Sequence, residues 1–265
     1  MIKYWILIKN EFQRHLAYRA NIISYSFGHL FEVTSQVIIW SVIYQNSQII
    51  KGYSYSEMIT YVVVGWLLLF ATSNYGFEEK IAKDIHQGTL SNLITKPISY
   101  LKYMTAVSLG RIVIAFITVI IIEISMILIF RSRIIIDFSF IKISILVVMM
   151  ILAFFIRLFF AILIGLIGFW IVEISGTYFS LNILSKFLSG AYFPINLLPA
   201  AYVTASLFFP FAYTFFVPLQ IYLGKASLAQ GLKGILVEFI WLVLLYAIIK
   251  IVWHFGLKRY EAVGI

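Results

Sequence analysis

The sequence predicts an all-α integral membrane protein with six transmembrane helices, and three observations carry that prediction. Apolar residues fill 62% of the 265 positions and charged residues only 12%, whereas a soluble domain is about half apolar and about a quarter charged. So little charge cannot cover a water-soluble globule of this size. Six runs are apolar over roughly the 20 residues that a helix needs to cross a hydrocarbon core. What remains outside those runs is too short to build a separate soluble domain, so the chain reads as a single transmembrane domain over 1–265.

Before the first span, Trp5, Ile8, Phe12 and Leu16 recur at three- and four-residue steps, with Lys3, Asn10 and Arg14 on another side. That pattern predicts an amphipathic helix within 1–21, lying in the headgroup region. It is not a cleavable signal, because Lys9, Arg14 and Arg19 interrupt any apolar core. The spans are expected at Ile22–Tyr44, Met58–Asn74, Thr105–Phe130, Ile143–Ile167, Trp170–Phe193 and Leu232–Trp253, within a transmembrane region of 22–253. Residues 254–265 form a tail. With the N-terminus in the cytoplasm, inner Lys and Arg outnumber outer ones two to one, which places both termini inside. The loop Arg131–Lys142 runs against that rule. Placement of basic residues also accounts for the formal net charge of +9 without a nucleic-acid partner.

Two connections are more than loops. Phe77–Tyr103 is charged and cytoplasmic, yet Ile81, Ile85, Leu90, Leu93 and Ile94 form an apolar face that Pro97 ends. The second, Tyr192–Gly231, holds Pro194, Pro199, Pro210 and Pro218, four of the chain's five prolines. Prolines in a segment rich in Leu, Phe and Tyr predict short broken helices that dip into the outer leaflet or cap the bundle from outside. Its aromatics, Tyr192 and Phe209 among them, either line a route for an amphiphilic substrate or pack the cap.

Chemistry is sparse. No phosphate loop occurs, since Gly224-Lys225 lacks both the upstream glycine and the following hydroxyl. Cysteine is absent, and His15, His29, His86 and His254 are scattered without metal-ligand spacing. No catalytic residue and no cofactor is expected on this chain. Ionisable groups inside the spans remain: Glu32, Glu123 and Arg157 as candidate pathway charges, with His29 and Lys186. Glu173 and Glu238 read as lying near helix ends, where they reach the headgroups. A charge at the bilayer centre costs at least about 2.5–3.5 kcal/mol on insertion scales. Glu32 and Arg157 each lie ten positions from the cytoplasmic end of their span, about 15 Å deep at 1.5 Å per residue. Equal depth lets them pair, within a subunit or across a dimer; the competing reading is that each faces a water-filled path and contacts substrate separately.

The order and spacing of several short stretches resemble one family nearly end to end. They are Lys9-Asn10-Glu11-Phe12 with Tyr18-Arg19-Ala20-Asn21, then Asp84-Ile85-His86-Gln87-Gly88-Thr89-Leu90-Ser91-Asn92-Leu93 leading to Lys96-Pro97-Ile98-Ser99-Tyr100. Gly190 through Pro194 with Leu197-Leu198-Pro199 follows, and the tail from Gly256 to Gly264 closes the set. The chain resembles the ABC-2 type transporter permeases, in particular the group of roughly 260 residues. The resemblance implies a half-transporter: two permease subunits, alike or related, form one export pathway in a bacterial cell membrane. A separate pair of cytoplasmic ABC ATPase subunits would bind the ATP and magnesium. It also implies that the first cytoplasmic loop carries a coupling helix (Asp84, Ile85, Gly88, Leu90, Leu93), and that the N-terminal helix meets the ATPase. The alternative is a six-helix secondary transporter or channel driven by an ion gradient through Glu32, Glu123 and Arg157.

Overall fold

The computed structural model describes residues 2–17, 19–74 and 76–260; the end of the tail, 261–265, lies outside the described residues. α1 (Ile2–Ala17) and α2 (Arg19–Ile43) open the chain, followed by a hairpin of β1 (Ile49–Ile50) and β2 (Tyr53–Ser54). Then come α3 (Tyr55–Ala71), α4 (Phe77–His86), α5 (Ser91–Ile94), α6 (Tyr100–Ile129) and α7 (Phe140–Leu166). α8 (Ser175–Ser189), α9 (Ala200–Phe208), α10 (Phe211–Thr214), α11 (Phe216–Tyr222) and α12 (Leu228–Arg259) complete it. The architecture is all-helical apart from the hairpin, whose turn places Lys51 and Gly52 at φ 44° and 84°, the left-handed pair that a tight two-residue turn requires.

Among the described residues, two helices are long and apolar enough to cross a bilayer, Phe140–Phe169 and Leu228–Arg259. They run parallel. Gly231 and Gly234 meet Ile145 and Met149, and Gly256 meets Phe169 at the far end, a constant offset of 85 to 87 residues. A Cβ on Gly256 would come within 2.2 Å of the Phe169 ring, so only glycine permits the approach. α12 begins in a capping box, Ser227 with Gln230, and α3 begins in another, Ser54 with Glu57. Each supplies partners to backbone N–H groups that a helix start leaves unpaired.

Five of the six expected segments fall on helices, α2, α3, α6, α7 and α12, with ends shifted by a few residues. α12 gains six residues at its far end, and α3 is 17 residues long. The fifth differs. α8 covers 15 residues, about 22 Å at 1.5 Å each, which is short of a hydrocarbon core of about 30 Å. Its start is set by Glu173, whose carboxylate accepts a hydrogen bond from the Ser175 N–H at 2.8 Å. Its end is set by Gly190 at φ 82°. Hydropathy alone registers neither stop.

α1 lies against α6 instead of standing alone. A Cβ on Gly110 would meet the Ile8 carbonyl at 2.7 Å and Glu11 Cβ at 2.9 Å. Trp5, from the face expected to be apolar and covered, is 69% exposed. Among the described residues two large hydrophobic cores stack along the bundle, with a small third one at Ile145, Met149 and Ile221. Of the large ones, one joins α2, α3 and α11 near the hairpin; the other joins α4 and the start of α6 to the far ends of α7 and α12.

The hairpin end is held by a polar hub. Lys225 donates to the Gly52 carbonyl at 2.7 Å, pairs with Glu57 at 2.8 Å, and sits 4.6 Å from the Tyr53 ring centre. Tyr53 Oη lies 3.0 Å from the Asn196 amide oxygen and 2.9 Å from that of Gln220. One hydroxyl proton serves one acceptor, so the other amide must turn its NH2 toward the phenol.

Candidate functional site

The charged segment expected to be part-helical is α4 and α5, and its apolar face points inward. Ile81 and Ile85 are buried, Leu90 is 0% exposed, and Leu93 packs against the same core. The seat is made by glycines of α7 and the turn after it. A Cβ on Gly165 would meet Ile81 Cβ at 2.6 Å and the Glu78 carbonyl at 2.9 Å, and Gly168 faces Ala82. His86 Nε2 lies 2.9 Å from the Gly168 carbonyl and 3.2 Å from that of Ile171. Gly88 at φ 70° turns the chain after α4, and the Leu90 N–H closes that turn on the Asp84 carbonyl at 2.9 Å. The Asp84 carboxylate pairs with Lys80 at 3.1 Å and accepts from the Thr89 hydroxyl at 3.2 Å. The Ser91 N–H donates to the Tyr260 hydroxyl at 3.1 Å, tying α5 to the end of α12. The five residues Asp84, Ile85, Gly88, Leu90 and Leu93 therefore shape and seat the segment. Its exposed face includes Lys83, Gln87, Thr89, Asn92, Ile94 and Lys96.

Beside α4 opens a cleft of about 50 Å³. α7 contributes Arg157 and Phe160, and α8 contributes Tyr178, Asn182 and Ser185. Ser73 and Asn74 come from the end of α3, Glu78 from the first turn of α4, and Phe211 from α10. Glu78 is buried and accepts hydrogen bonds from the Gly76 N–H at 3.1 Å and from the Tyr178 hydroxyl. Burial outweighs those bonds and pushes its carboxyl above the usual range. Asn182 Nδ2 donates to Tyr178 Oη at 3.0 Å, and Ser108 on α6 donates to the Asn74 amide oxygen. On α8, Tyr178, Asn182, Ser185 and Ser189 recur at helical spacing. That polar stripe was available in the sequence as the signal for this wall.

The deep charges are arranged differently from the expected pair. Glu32 makes its ion pair with Lys186 of α8, at 4.0 Å, and its side chain remains 49% exposed. Lys186 also lies 5.8 Å from the Trp66 ring centre. Arg157 belongs to the cleft wall, and Glu123 is buried within α6. His29 lies outside the described side chains. Glu173 is exposed in the turn before α8. Glu238 corrects its expectation outright. It is 0% exposed, and neither carboxylate oxygen has a hydrogen-bond partner among the described residues.

The proline-rich segment reaches far into the bundle. The Tyr192 ring lies tilted 5.0 Å from the Phe187 ring, Pro194 is buried before a 3-10 turn, and the Pro199 carbonyl accepts the Tyr202 and Val203 N–H groups of α9. Phe209 is exposed, 6.4 Å from the Phe211 ring. Phe211 meets Phe160 edge-on at 5.0 Å. Phe160 lies 20 residues into α7 and six from its end, so about 30 Å of α7 separates it from Phe140 and about 9 Å from Leu166. Farther along, Phe215 abuts Gly65 and Tyr61, and α11 climbs back to the hub at Gln220. The segment is deeper than a surface cap.

A family model described as ABC-2 family transporter protein matches residues 30–264, most of the chain. The chain belongs to the ABC-2 transporter family. No curated protein and no solved structure matches it. ABC-2 proteins are the transmembrane components of ABC transporters, not their catalytic subunits. Membership accords with the two long apolar helices and with a charged helix pair seated at one end of an otherwise apolar bundle.

Proposed function

We propose that this ABC-2 protein is the permease subunit of an ATP-driven exporter, working as a dimer with itself or a related permease and powered by a separate ATPase pair. The supporting observation is the α4–α5 segment, whose apolar face is spent on α7 while its polar face stands free, in a chain without a phosphate loop. In this reading α4 and α5 lie on the cytoplasmic side, with both termini, and the hairpin hub lies outside a bacterial cell membrane. The bundle crosses six times. The fifth crossing combines α8 with the chain beyond Gly190, and α9 to α11 form a re-entrant element beneath the outer surface. The exposed residues Gln87, Thr89, Asn92 and Ile94 carry the ATPase contact, held in shape from beneath by Asp84, Ile85, Gly88, Leu90 and Leu93. Glu32, half exposed, and the mostly buried Lys186 that pairs with it face the pathway between two permeases, because a charge at that depth does not face lipid. No observation favours the reading as an ion-driven transporter.

The test is co-expression with a candidate ABC ATPase from the same organism. Gln87→Glu combined with Asn92→Asp places two carboxylates on the exposed face while leaving the buried contacts intact. The double variant should fold normally and lose copurification of the ATPase. Retention of the ATPase, with transport at the unmodified rate, rejects this face as the docking surface.

A further inference from the structure

The cleft beside α4 holds a fixed cation in a place that could have been apolar. Arg157 stands nine residues from the end of α7, at Leu166, in a helix whose other polar side chains, Lys142 and Ser144, lie near its start. A guanidinium that deep is retained only where it serves a charge or a wet cavity. Its planar fork suits an oxyanion, which it can hold through two parallel N–H bonds. Across the cleft the Asn182 amide uses one proton on Tyr178 and has a second to give. The Ser73 hydroxyl donates to the Phe70 carbonyl near the end of α3, and the Ser185 hydroxyl to the Asn182 carbonyl one turn back in α8, bonds that rotate away at little cost.

The carboxylate in the same cleft does not forbid an anion. Glu78 is occupied by Gly76 and Tyr178, and its burial disfavours the charged form. The space suits a small polar group: about 50 Å³ accommodates about three to five waters at 10–15 Å³ each, which a carboxylate or phosphate would displace. Phe160 and Phe211, packed edge-on at 5.0 Å, border the site with an apolar wall.

We propose that this cleft binds the anionic head of an amphiphile, a carboxylate or phosphate held by Arg157 and Asn182, with the apolar remainder lying along Phe160 and Phe211. The inference rests on the permease reading, and it names the chemical class of the exported molecule. Phe211 belongs to α10 and Glu78 to α4, so an occupied cleft touches both elements at once.

Binding is measured on the full chain in nanodiscs of neutral lipid, without the ATPase, using dodecyl phosphate, dodecyltrimethylammonium and inorganic phosphate as probes. Dodecyl phosphate should bind, and the cationic detergent should bind at least about tenfold more weakly. Inorganic phosphate should bind about a hundredfold more weakly, for want of the apolar wall. Arg157→Gln should weaken dodecyl phosphate about tenfold or more, and Arg157→Lys should restore part of that loss, because it keeps the charge and loses the fork. If Arg157→Gln fails to fold, Arg157→Lys and Asn182→Ala carry the test, each expected to weaken the anionic amphiphile several-fold. Equal binding of the cationic detergent, or unchanged affinity in these variants, overturns the site. Equal binding of inorganic phosphate overturns the amphiphile and leaves a free-anion site. Failure here leaves the permease reading intact, because loss of ATPase copurification is read in a separate experiment.

Discussion

Replacing Gly165 with alanine tests how tightly α4 is seated. The new Cβ would lie 2.6 Å from Ile81 Cβ and 2.9 Å from the Glu78 carbonyl, where carbon atoms ordinarily sit about 3.5–4.0 Å apart. Neither neighbour can swing away, because one is a carbonyl of the helix backbone and the other the first atom of its side chain. α4 must therefore move by about 1 Å, or the core must distort. Such overpacking costs about 1–3 kcal/mol, and the gain of helix propensity from Gly to Ala returns about 0.5–1. The net loss is about 0.5–2 kcal/mol, and at about 2–4 °C per kcal/mol for a domain of this size the melting temperature should fall by several degrees. Gly28→Ala is the matched control, since nothing lies within 4 Å of its Cβ position, and it should cause no fall. Thermal unfolding followed by tryptophan fluorescence gives both numbers. If the two variants melt together, α4 is not seated on α7 as described. In the full transporter Gly165→Ala should also lower transport per ATP hydrolysed, while an ATPase that merely binds is retained.

Two further outcomes concern the ends of the bundle. The native chain has no cysteine, so cysteine placed at exposed Asn196 should react with an impermeant thiol reagent in intact cells, and cysteine at exposed Thr89 only after lysis; the reverse result inverts the topology. At the hub, burial raises the Glu57 carboxyl, but hydrogen bonds from Lys225 and Ser54 outweigh it and hold the carboxyl below its usual 4.5. A depressed folded value means the pair's stabilisation is present above pH 4.5 and is lost as pH falls below it. The gap in melting temperature between the native chain and Glu57→Gln should therefore close on acidification from pH 6 to 3, and a gap that widens would contradict the pairing.

The sequence made α2, α6, α7 and α12 legible because twenty apolar residues in a row have few alternative uses. Their ends were less visible, although Ser54-x-x-Glu57 and Ser227-x-x-Gln230 spell capping boxes that fix the starts of α3 and α12 within a residue. The fifth helix was overextended because hydropathy does not register a left-handed glycine or a carboxylate that caps a turn. The α4–α5 segment was found by its apolar period, but that period could not say which partner the face would meet. It meets α7, so Ile85 and Leu90 support the segment from within. The depth of α10 depends on Phe160 meeting Phe211, a contact across 51 positions that no local pattern encodes.

Glu238 shows how a depth estimate from approximate helix ends can mislead. With α12 taken to start at Leu232 the carboxylate appeared close to the surface. α12 in fact starts at Leu228, and the fixed offset against α7 sets Glu238 level with Leu152 and Ala153, the middle of a helix that runs from Phe140 to Leu166. There it is 0% exposed, with both oxygens unpartnered among the described residues. A buried polar group without a partner costs about 1–3 kcal/mol, so replacing it with an apolar side chain of similar size should stabilise the resting chain. Glu238→Leu is expected to raise the melting temperature, with Glu238→Gln falling between it and the native protein. A residue kept against its stability cost at that depth is kept for function, so transport should drop in Glu238→Leu while stability rises. A Leu variant that melts lower would mean the carboxylate holds a bridging water and belongs to the packing. A variant that is more stable and fully active would leave no functional reason for a carboxylate at the centre of α12.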